Sequence, residues 1–240
     1  DRARMSEQEL TSLKTAELLA VMGPYVSIAF VLLILWLIIY FYKMPKASDE
    51  SSKIDLIPSL VRLSQKRHYV TGVIAQFFYV GAQIGVWSFT IRYAMNELNI
   101  NEEAAANYYI AALVLFMASR FLNTALMKFV SPGRLLAGAS VLAIICTSIV
   151  IFSGGYTGVY ALVAISACMS LMFPTIYGLS IRGLGEDTKI GASGLIMAIL
   201  GGAVITLFQG QVSDLTGSIN YSYAIPLICF VIILFYAVIG

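Results

Sequence analysis

Charged residues are spaced along this chain so that long apolar stretches separate them. A helix needs about 20 mostly apolar residues to cross a hydrocarbon core about 30 Å thick. None of the stretches alternates apolar and polar residues with a period of two, as the strands of a membrane barrel do. We therefore predict seven membrane-spanning helices, at residues 20–42, 69–95, 104–128, 133–153, 156–182, 190–213 and 221–240.

Two of the predicted boundaries come from glycine-containing turns rather than from charges. Residues 135–181 are uncharged throughout, and as one helix at about 1.5 Å per residue they would be about 70 Å long. That exceeds a single crossing, so we place a turn in the sequence SGGYTG at 153–158, because clustered glycines interrupt helices. The sequence TGSIN at 216–220 predicts a similar turn before the last helix.

Composition excludes most soluble classes. Hydrophobic residues make up 59% of the chain and charged residues 12%, with a mean hydropathy of +0.85. Soluble domains have about 45–50% apolar and about 25% charged residues. The net charge of +2 and the absence of a basic cluster with interleaved aromatics also speak against a nucleic-acid partner. The fold class expected is an all-α membrane protein whose surroundings are the lipid bilayer.

The basic residues indicate the orientation and the domain organisation. Ten of the fifteen basic residues fall on one side of the predicted spans, which the positive-inside rule assigns to the cytoplasm. We expect an extracytoplasmic segment at 1–19, a membrane helix at 20–42, a central cytoplasmic loop at 43–68 and a six-helix bundle at 69–240. Within the loop, residues 54–61 predict a short amphipathic helix at the membrane interface. An isolated first span before a long loop suggests the tail of one bundle joined to a complete second bundle.

Catalytic and metal-binding patterns are absent from the sequence. The three cysteines lie far apart within predicted spans, and His68 stands alone at the mouth of the second span. No hydrolase triad, zinc-protease motif or phosphate-binding loop is present. We therefore expect no enzyme, no cofactor and no metal site.

The second span carries a row of polar and aromatic side chains. Gln76, Tyr79, Gln83 and Trp87 recur at three and four residues, which places them on one helix face. Amides and a phenol exchange hydrogen bonds with sugar hydroxyls, and aromatic rings cover the C–H faces of a sugar. These four residues are the candidate substrate-binding set. Helix–helix hydrogen bonding and an interfacial aromatic belt are the alternative interpretation.

Other residues within the spans predict gating or structural roles. Arg120 is the only charged residue deep in a span, and it has no carboxylate partner within the spans, so we expect it to bond main-chain carbonyls at a helix end. Asn123 lies one turn further on. Pro174 removes a backbone hydrogen bond and interrupts the fifth span. Small residues at Gly81, Gly85, Ala198 and Gly202 predict a close helix contact or a bend.

Several segments resemble one family. The sequences AQFFYVGAQ at 75–83 and WS at 87–88, together with AANY at 105–108, RF at 120–121, PTI at 174–176 and LGEDTK at 184–189, resemble the L-fucose/proton symporters of the major facilitator superfamily. The resemblance implies helices six to twelve of a twelve-helix transporter, with the proton-handling carboxylates in the N-terminal bundle. Phe173 takes the place of a polar family residue before the proline and joins the substrate-binding set. Because of such departures, fucose, glucose, galactose and N-acetylated sugars all stay open.

The function that follows from the resemblance is secondary transport. It implies sugar/proton symport by alternating access in the cytoplasmic (inner) membrane of a bacterium, with protons or sodium as the coupling ion. The N-terminal bundle of the same protein would be the other partner. The alternatives are a transporter of another small polar solute and a non-transporting membrane sensor.

Overall fold

The computed structural model describes residues 7–41 and 56–239, with side chains from residue 22 in the first range and up to residue 238 in the second. Parts of the predicted extracytoplasmic segment and central loop, at 1–6 and 42–55, lie outside the described residues. Every regular element in the described ranges is helical. The helices are α1 (Glu7–Phe41), α2 (Leu56–Gln65), α3 (Arg67–Leu98), α4 (Glu102–Leu126), α5 (Pro132–Phe152), α6 (Gly155–Met169), α7 (Met172–Ser180), α8 (Thr188–Met197), α9 (Gly201–Thr216), α10 (Ile219–Ser222) and α11 (Ala224–Ile239).

The prediction of a helical membrane protein is confirmed. Seven stretches in the described ranges are long and apolar enough to cross a membrane. Three of them combine consecutive helices: α6 with α7, α8 with α9, and α10 with α11. The fold class of the sequence prediction therefore agrees with the structure. Helix α1 begins at Glu7, well before the predicted span at 20–42, and the other boundaries differ by a few residues.

The chain divides into two compact units, residues 1–53 and 54–240. In the first unit, the described side chains of α1 from Met22 to Phe41 are all exposed. An apolar helix with no buried face belongs in lipid or against another helix. The second unit contains α2–α11 and the buried core.

Helix α3 is the central element of the second unit, and three tyrosines fix it at three levels. The Tyr69 hydroxyl donates to the Gly191 carbonyl of α8 over 3.0 Å. The Tyr79 hydroxyl donates to the Met169 carbonyl of α6 over 3.0 Å, and the Tyr93 hydroxyl donates to the Val150 carbonyl of α5 over 2.8 Å. All three tyrosines are buried. Hydrogen bonds between helices are a main source of association where lipid replaces water.

Glycines allow helices α3 and α9 to approach closely, because the backbone of one helix lies directly against atoms of the other. A Cβ atom added at Gly81 would collide with Ile205, and one added at Gly85 would collide with Gln209. A Cβ atom at Gly201 would overlap the Phe77 carbonyl group. The close contact predicted from the small residues is confirmed. The predicted bend is present as well, since a 3₁₀ turn over Ala198–Leu200 separates α8 from α9.

The turn between α5 and α6 lies within the glycine-containing segment in which the sequence predicted it. Helix α5 ends at Phe152 and α6 begins at Gly155, so Tyr156–Gly158 belong to the helix. Gly154 and Gly155 have φ of +58° and +54°, which explains the two glycines. The Glu97 carboxylate accepts hydrogen bonds from the Gly155 amide and, over 2.8 Å, from the Asn220 side chain. This one carboxylate ties the ends of α3, α6 and α10.

The α3–α9 contact generates a stability prediction. We expect Gly201→Ala to lower the stability of the bundle by about 1–3 kcal/mol, because the methyl group would force the Phe77 backbone away. Thermal unfolding of the purified protein in detergent measures this. Gly138→Ala is the matched control, since a Cβ atom at Gly138 meets nothing within 4 Å. A Gly201→Ala variant as stable as this control would contradict the contact.

Candidate functional site

The interruption between α6 and α7 is the organising feature of the site. Helix α6 ends at Met169, Ser170 and Leu171 form a turn, and α7 begins at Met172. Pro174 has no N–H, so the Ser170 carbonyl four residues earlier lacks its usual helical donor. The break predicted from Pro174 is thus confirmed, and it leaves carbonyl groups that need donors from elsewhere.

Side chains from two other helices supply those donors. The Arg120 Nη1 of α4 donates to the Ser170 carbonyl over 3.0 Å, and the Tyr79 hydroxyl of α3 donates to the Met169 carbonyl over 3.0 Å. Asn123 Nδ2 donates to the Ser170 Oγ over 2.8 Å. The expectation that Arg120 bonds a carbonyl at a helix end is confirmed. We call these four residues, Tyr79, Arg120, Asn123 and Ser170, the break clamp.

A cavity of about 350 Å³ lies beside the break clamp, between α4 and α7. Its lining has two arginines, Arg120 and Arg182, and no carboxylate. The remaining surface is apolar or neutral and polar, which suits a neutral or anionic solute better than a cation. The full lining is Arg120, Asn123, Thr124, Met127, Pro132, Ser170, Leu171, Pro174, Thr175, Gly178, Leu179 and Arg182.

The predicted substrate face of α3 divides into two environments. Gln76 and Tyr79 are fully buried, whereas Gln83 and Trp87 are half-buried. Trp87 Nε1 donates to the Ser166 Oγ of α6 over 3.2 Å, and the indole meets the Phe116 ring edge-on with centroids 5.1 Å apart. Trp87 therefore packs against α4 and α6 as well as lying on the predicted face.

Phe173 lies next to this face. Its ring meets Tyr79 edge-on with centroids 6.1 Å apart and stacks on Tyr177 at 6.5 Å. Phe173 is half-buried, so part of its ring is accessible. The structure thus brings Phe173 together with Tyr79 and places both at the helix break.

Comparison with known proteins agrees with this architecture. The chain is 40% identical over 238 residues to the L-fucose-proton symporter of Haemophilus influenzae, an alignment covering 97% of this chain and 55% of that protein. It is 39% identical to the L-fucose-proton symporter of Escherichia coli, with 98% and 55% covered, and 34% identical to a glucose/galactose transporter of Brucella abortus, with 94% and 55% covered. No family model matches the chain.

Solved structures give the same result at the level of the fold. A crystal structure of the Escherichia coli fucose:proton symporter FucP superposes with a TM-score of 0.84 at 38% sequence identity, covering 98% of this chain and 58% of that one. A structure of FucP, described as a Major Facilitator Superfamily transporter in the outward conformation, superposes equally well, with a TM-score of 0.84. The chain has the fold of the C-terminal half of a major facilitator superfamily transporter. It spans about half the length of the curated relatives it matches.

Within this bundle, one predicted site residue stands out by its hydrogen bonding. Both polar atoms of the Gln76 side chain are buried without a hydrogen-bond partner among the described residues. Leaving a buried polar group unpaired costs about 1–3 kcal/mol. Gln76 is therefore a polar group with unused bonding capacity, in contrast to Tyr79, whose hydroxyl is occupied by the Met169 carbonyl.

Sequence reasoning missed several residues of the site. Ser166 and Ser170 are small polar residues in an apolar span, and neither was singled out, although Ser170 precedes Pro174 by four residues and that spacing identifies the freed carbonyl. Gln209 of α9 is also fully buried, with both amide atoms unpaired within the described structure. Helix α9 contains two glutamines, Gln209 and Gln211, and the sequence gave no indication that Gln209 is the buried one.

The break clamp predicts energetic coupling between Arg120 and Pro174. Pro174→Ala would supply an N–H that can bond the Ser170 carbonyl, so Arg120→Ala should destabilise this background less than the parent. We expect a coupling energy of about 0.5–3 kcal/mol from a double-mutant cycle. Thermal or denaturant unfolding in detergent measures the four proteins of the cycle.

A second cycle provides the control for the first. Leu142 is an exposed residue of α5 and contributes nothing to the clamp, so Leu142→Ala should combine additively with Pro174→Ala. Additive effects of Arg120→Ala and Pro174→Ala would contradict the assignment of the freed carbonyl to Arg120.

Proposed function

We propose that this chain is the C-terminal half of a proton-coupled monosaccharide symporter that works by alternating access. The observation that carries the proposal is the alignment with L-fucose-proton symporters along nearly the whole chain, at 39–40% identity. Such a transporter would act in the cytoplasmic membrane of a bacterium, with the N-terminal bundle of the same protein as the other half of its cavity.

The substrate class is supported by the side chains on α3 and α7. Gln83 supplies an amide that can both donate to and accept from sugar hydroxyls, and it is half-buried on the predicted face. Trp87 and Phe173 supply rings that can cover the apolar faces of a sugar. Gln76 adds a second amide with unused bonding capacity. The relatives named as glucose/galactose transporters keep fucose, glucose and galactose as candidates, with N-acetylated sugars beside them.

Proton coupling needs a group that this half does not supply near the middle of its spans. Arg120 and Arg182 are the charged residues of the cavity lining, which contains neither Asp nor Glu. We therefore assign proton handling to carboxylates of the N-terminal bundle. Sodium coupling is the alternative, and its test is part of the experiment below.

The break clamp has a proposed role in the transport cycle. Pro174 creates the α6–α7 break, and Arg120 and Asn123 hold it in one geometry through a charge-assisted and a neutral hydrogen bond to Ser170. A change of the angle between α6 and α7 requires these bonds to open. The clamp is in this proposal a latch on one state of the cycle, and the coupling energy between Arg120 and Pro174 measures its strength.

Uptake of labelled sugar by the full-length transporter tests the function. We expect cells or proteoliposomes carrying it to accumulate fucose, glucose, galactose or an N-acetylated hexose, and a protonophore to abolish accumulation. Uptake that resists the protonophore and requires sodium would show that sodium, and not the proton, is the coupling ion. Failure to transport any of these sugars, with folded protein in the membrane, would contradict the proposed substrate class and favour another solute or a sensor.

The role of Gln83 is tested by its replacement with alanine. Gln83→Ala should weaken sugar binding by about 1–3 kcal/mol, because partner hydroxyls would lose their hydrogen bonds. Isothermal titration of the purified transporter measures the change. Leu142→Ala is the matched control, since Leu142 is exposed on α5 and should leave affinity unchanged. Equal affinities in both variants would reduce Gln83 to a helix-packing residue.

A further inference from the structure

The cavity beside the break clamp is separate from the predicted substrate face. Its volume of about 350 Å³ falls within the range of about 300–1,000 Å³ that is usual for small-molecule sites. Its lining includes none of the predicted substrate-binding residues, which are Gln76, Tyr79, Gln83, Trp87 and Phe173. We propose that this cavity binds a phosphate monoester through the guanidinium groups of Arg120 and Arg182.

The cavity has open space between its two arginines. Helix α7 lines it with Pro174 and Gly178, and Arg182 continues the same four-residue spacing into the turn after the helix. Arg120 bonds the Ser170 carbonyl, just before α7 begins. A Cβ atom added at Gly178 would meet nothing within 4 Å. A ligand beside Gly178 therefore lies between two cations.

Both guanidinium groups have donors to spare. Arg120 donates from Nη1 to the Ser170 carbonyl, and its other N–H groups have no acceptor among the described residues. The Arg182 guanidinium has no hydrogen bond or ion pair within the described part of the chain. Guanidinium groups present several N–H donors in a planar fork that matches two oxygens of a phosphate. The cavity thus has the donors that a phosphate group requires.

Acidic residues are absent from the sequence between Glu103 and Glu186, which covers every element that lines the cavity. Glu103 lies at the far end of α4, and Glu186 lies in the connection to α8, outside the lining. Asp187, in the same connection, is paired with Arg62 over 2.6 Å. The basic residues in this stretch of sequence are Arg120, Lys128, Arg134 and Arg182. A neutral sugar would leave this excess of positive charge uncompensated, whereas a phosphate would neutralise it.

The start of α5 adds to a charge that the arginines already set. Pro132 is the first residue of α5 and lines the cavity. The amides of Gly133 and Arg134 have no main-chain acceptor among the described residues. Arg134 Nε donates to the Ser131 Oγ over 3.0 Å, which keeps a third guanidinium beside this helix end. The positive end of a helix dipole favours an anion in the same direction as the arginines do.

Membrane topology accounts for only part of this charge. The positive-inside rule assigns the end of the bundle with Lys128, Arg134 and Arg182 to the cytoplasm. It does not account for Arg120, which lies within a span, or for two arginines that line one cavity. A ligand at this end comes from the cytosol or from the inner leaflet. Soluble sugar phosphates and phosphatidic acid, a lipid, both carry the phosphate monoester that the cavity would recognise.

Calorimetric titration of the full-length transporter in phosphate-free, nonionic detergent tests the site. Glucose-6-phosphate is the soluble probe, and short-chain phosphatidic acid is the lipid probe. We expect Arg182→Gln to weaken binding of the phosphate probe about tenfold, because hydrogen bonds to a charged group are lost. Arg182 has no partner to lose within the described structure, so the fold should be unaffected. Arg92→Gln is the matched control, since Arg92 lines a different cavity near the end of α3.

A second pair of variants fills the cavity without changing its charge. Gly178→Leu should abolish binding of the phosphate probe, because the added side chain occupies the space between the two arginines. Gly138→Leu is its control, since a Cβ atom at Gly138 also meets nothing within 4 Å and Gly138 is not part of the lining. Affinity for the phosphate probe should be unchanged in that control.

The two probes separate the possible sources of the phosphate. Binding of glucose-6-phosphate supports a soluble ligand, and binding of phosphatidic acid alone supports a lipid headgroup. Absence of binding by both probes would overturn the proposal, as would equal weakening by Arg182→Gln and Arg92→Gln. Loss of glucose-6-phosphate binding in Gln83→Ala would also overturn it, because the probe would then occupy the sugar site. These isotherms do not depend on sugar uptake, so failure of the proposed transport function would be seen separately.

Discussion

The missing N–H of Pro174 is the constraint on which the organisation of the candidate site depends. It leaves the Ser170 carbonyl without a helical donor in an environment where lipid and packed side chains replace water. The guanidinium of Arg120 supplies that donor, and the charge otherwise costly in a membrane span gains a helix-end carbonyl as partner. Pro174 and Arg120 lie on different helices and each is unfavourable alone. The carbonyl that Pro174 leaves without a donor and the guanidinium of Arg120 thus satisfy each other.

The same principle extends through the bundle by way of α3. Tyr69, Tyr79 and Tyr93 each donate to a main-chain carbonyl of a different helix, so α3 is fixed near its start, its middle and its end. The glycines that face α9 let a further helix approach closely without polar bonds. Small residues therefore set the distance between helices, and tyrosine hydroxyls set their register.

The sequence predicted the helices well and the side-chain partners poorly. Apolar length and charge spacing are local properties, so seven spans, the break at Pro174 and the α3–α9 contact could be read directly. Because no carboxylate lies within the predicted spans, the sequence predicted that Arg120 bonds a main-chain carbonyl. It did not identify which residue supplies that carbonyl. Tyr79 joined the predicted substrate-binding set by its spacing and its phenol. The sequence did not indicate that its hydroxyl bonds the Met169 carbonyl, because that pairing depends on where α6 ends. The ion pair between Arg62 and Asp187 joins residues 125 positions apart, and no local pattern indicates such a partner.

Polar groups inside the bundle fall into two classes with different consequences. Tyr79, Tyr93 and Arg120 are paired with main-chain carbonyls, and their removal would leave those acceptors unsatisfied. Gln76 is buried and unpaired, so an apolar residue of similar size would be more stable at its position in this conformation. A stability argument accounts for the first class and fails for Gln76. The unpaired amide is in keeping with the proposed place of Gln76 in the substrate-binding set, where a sugar hydroxyl would match its donor and acceptor.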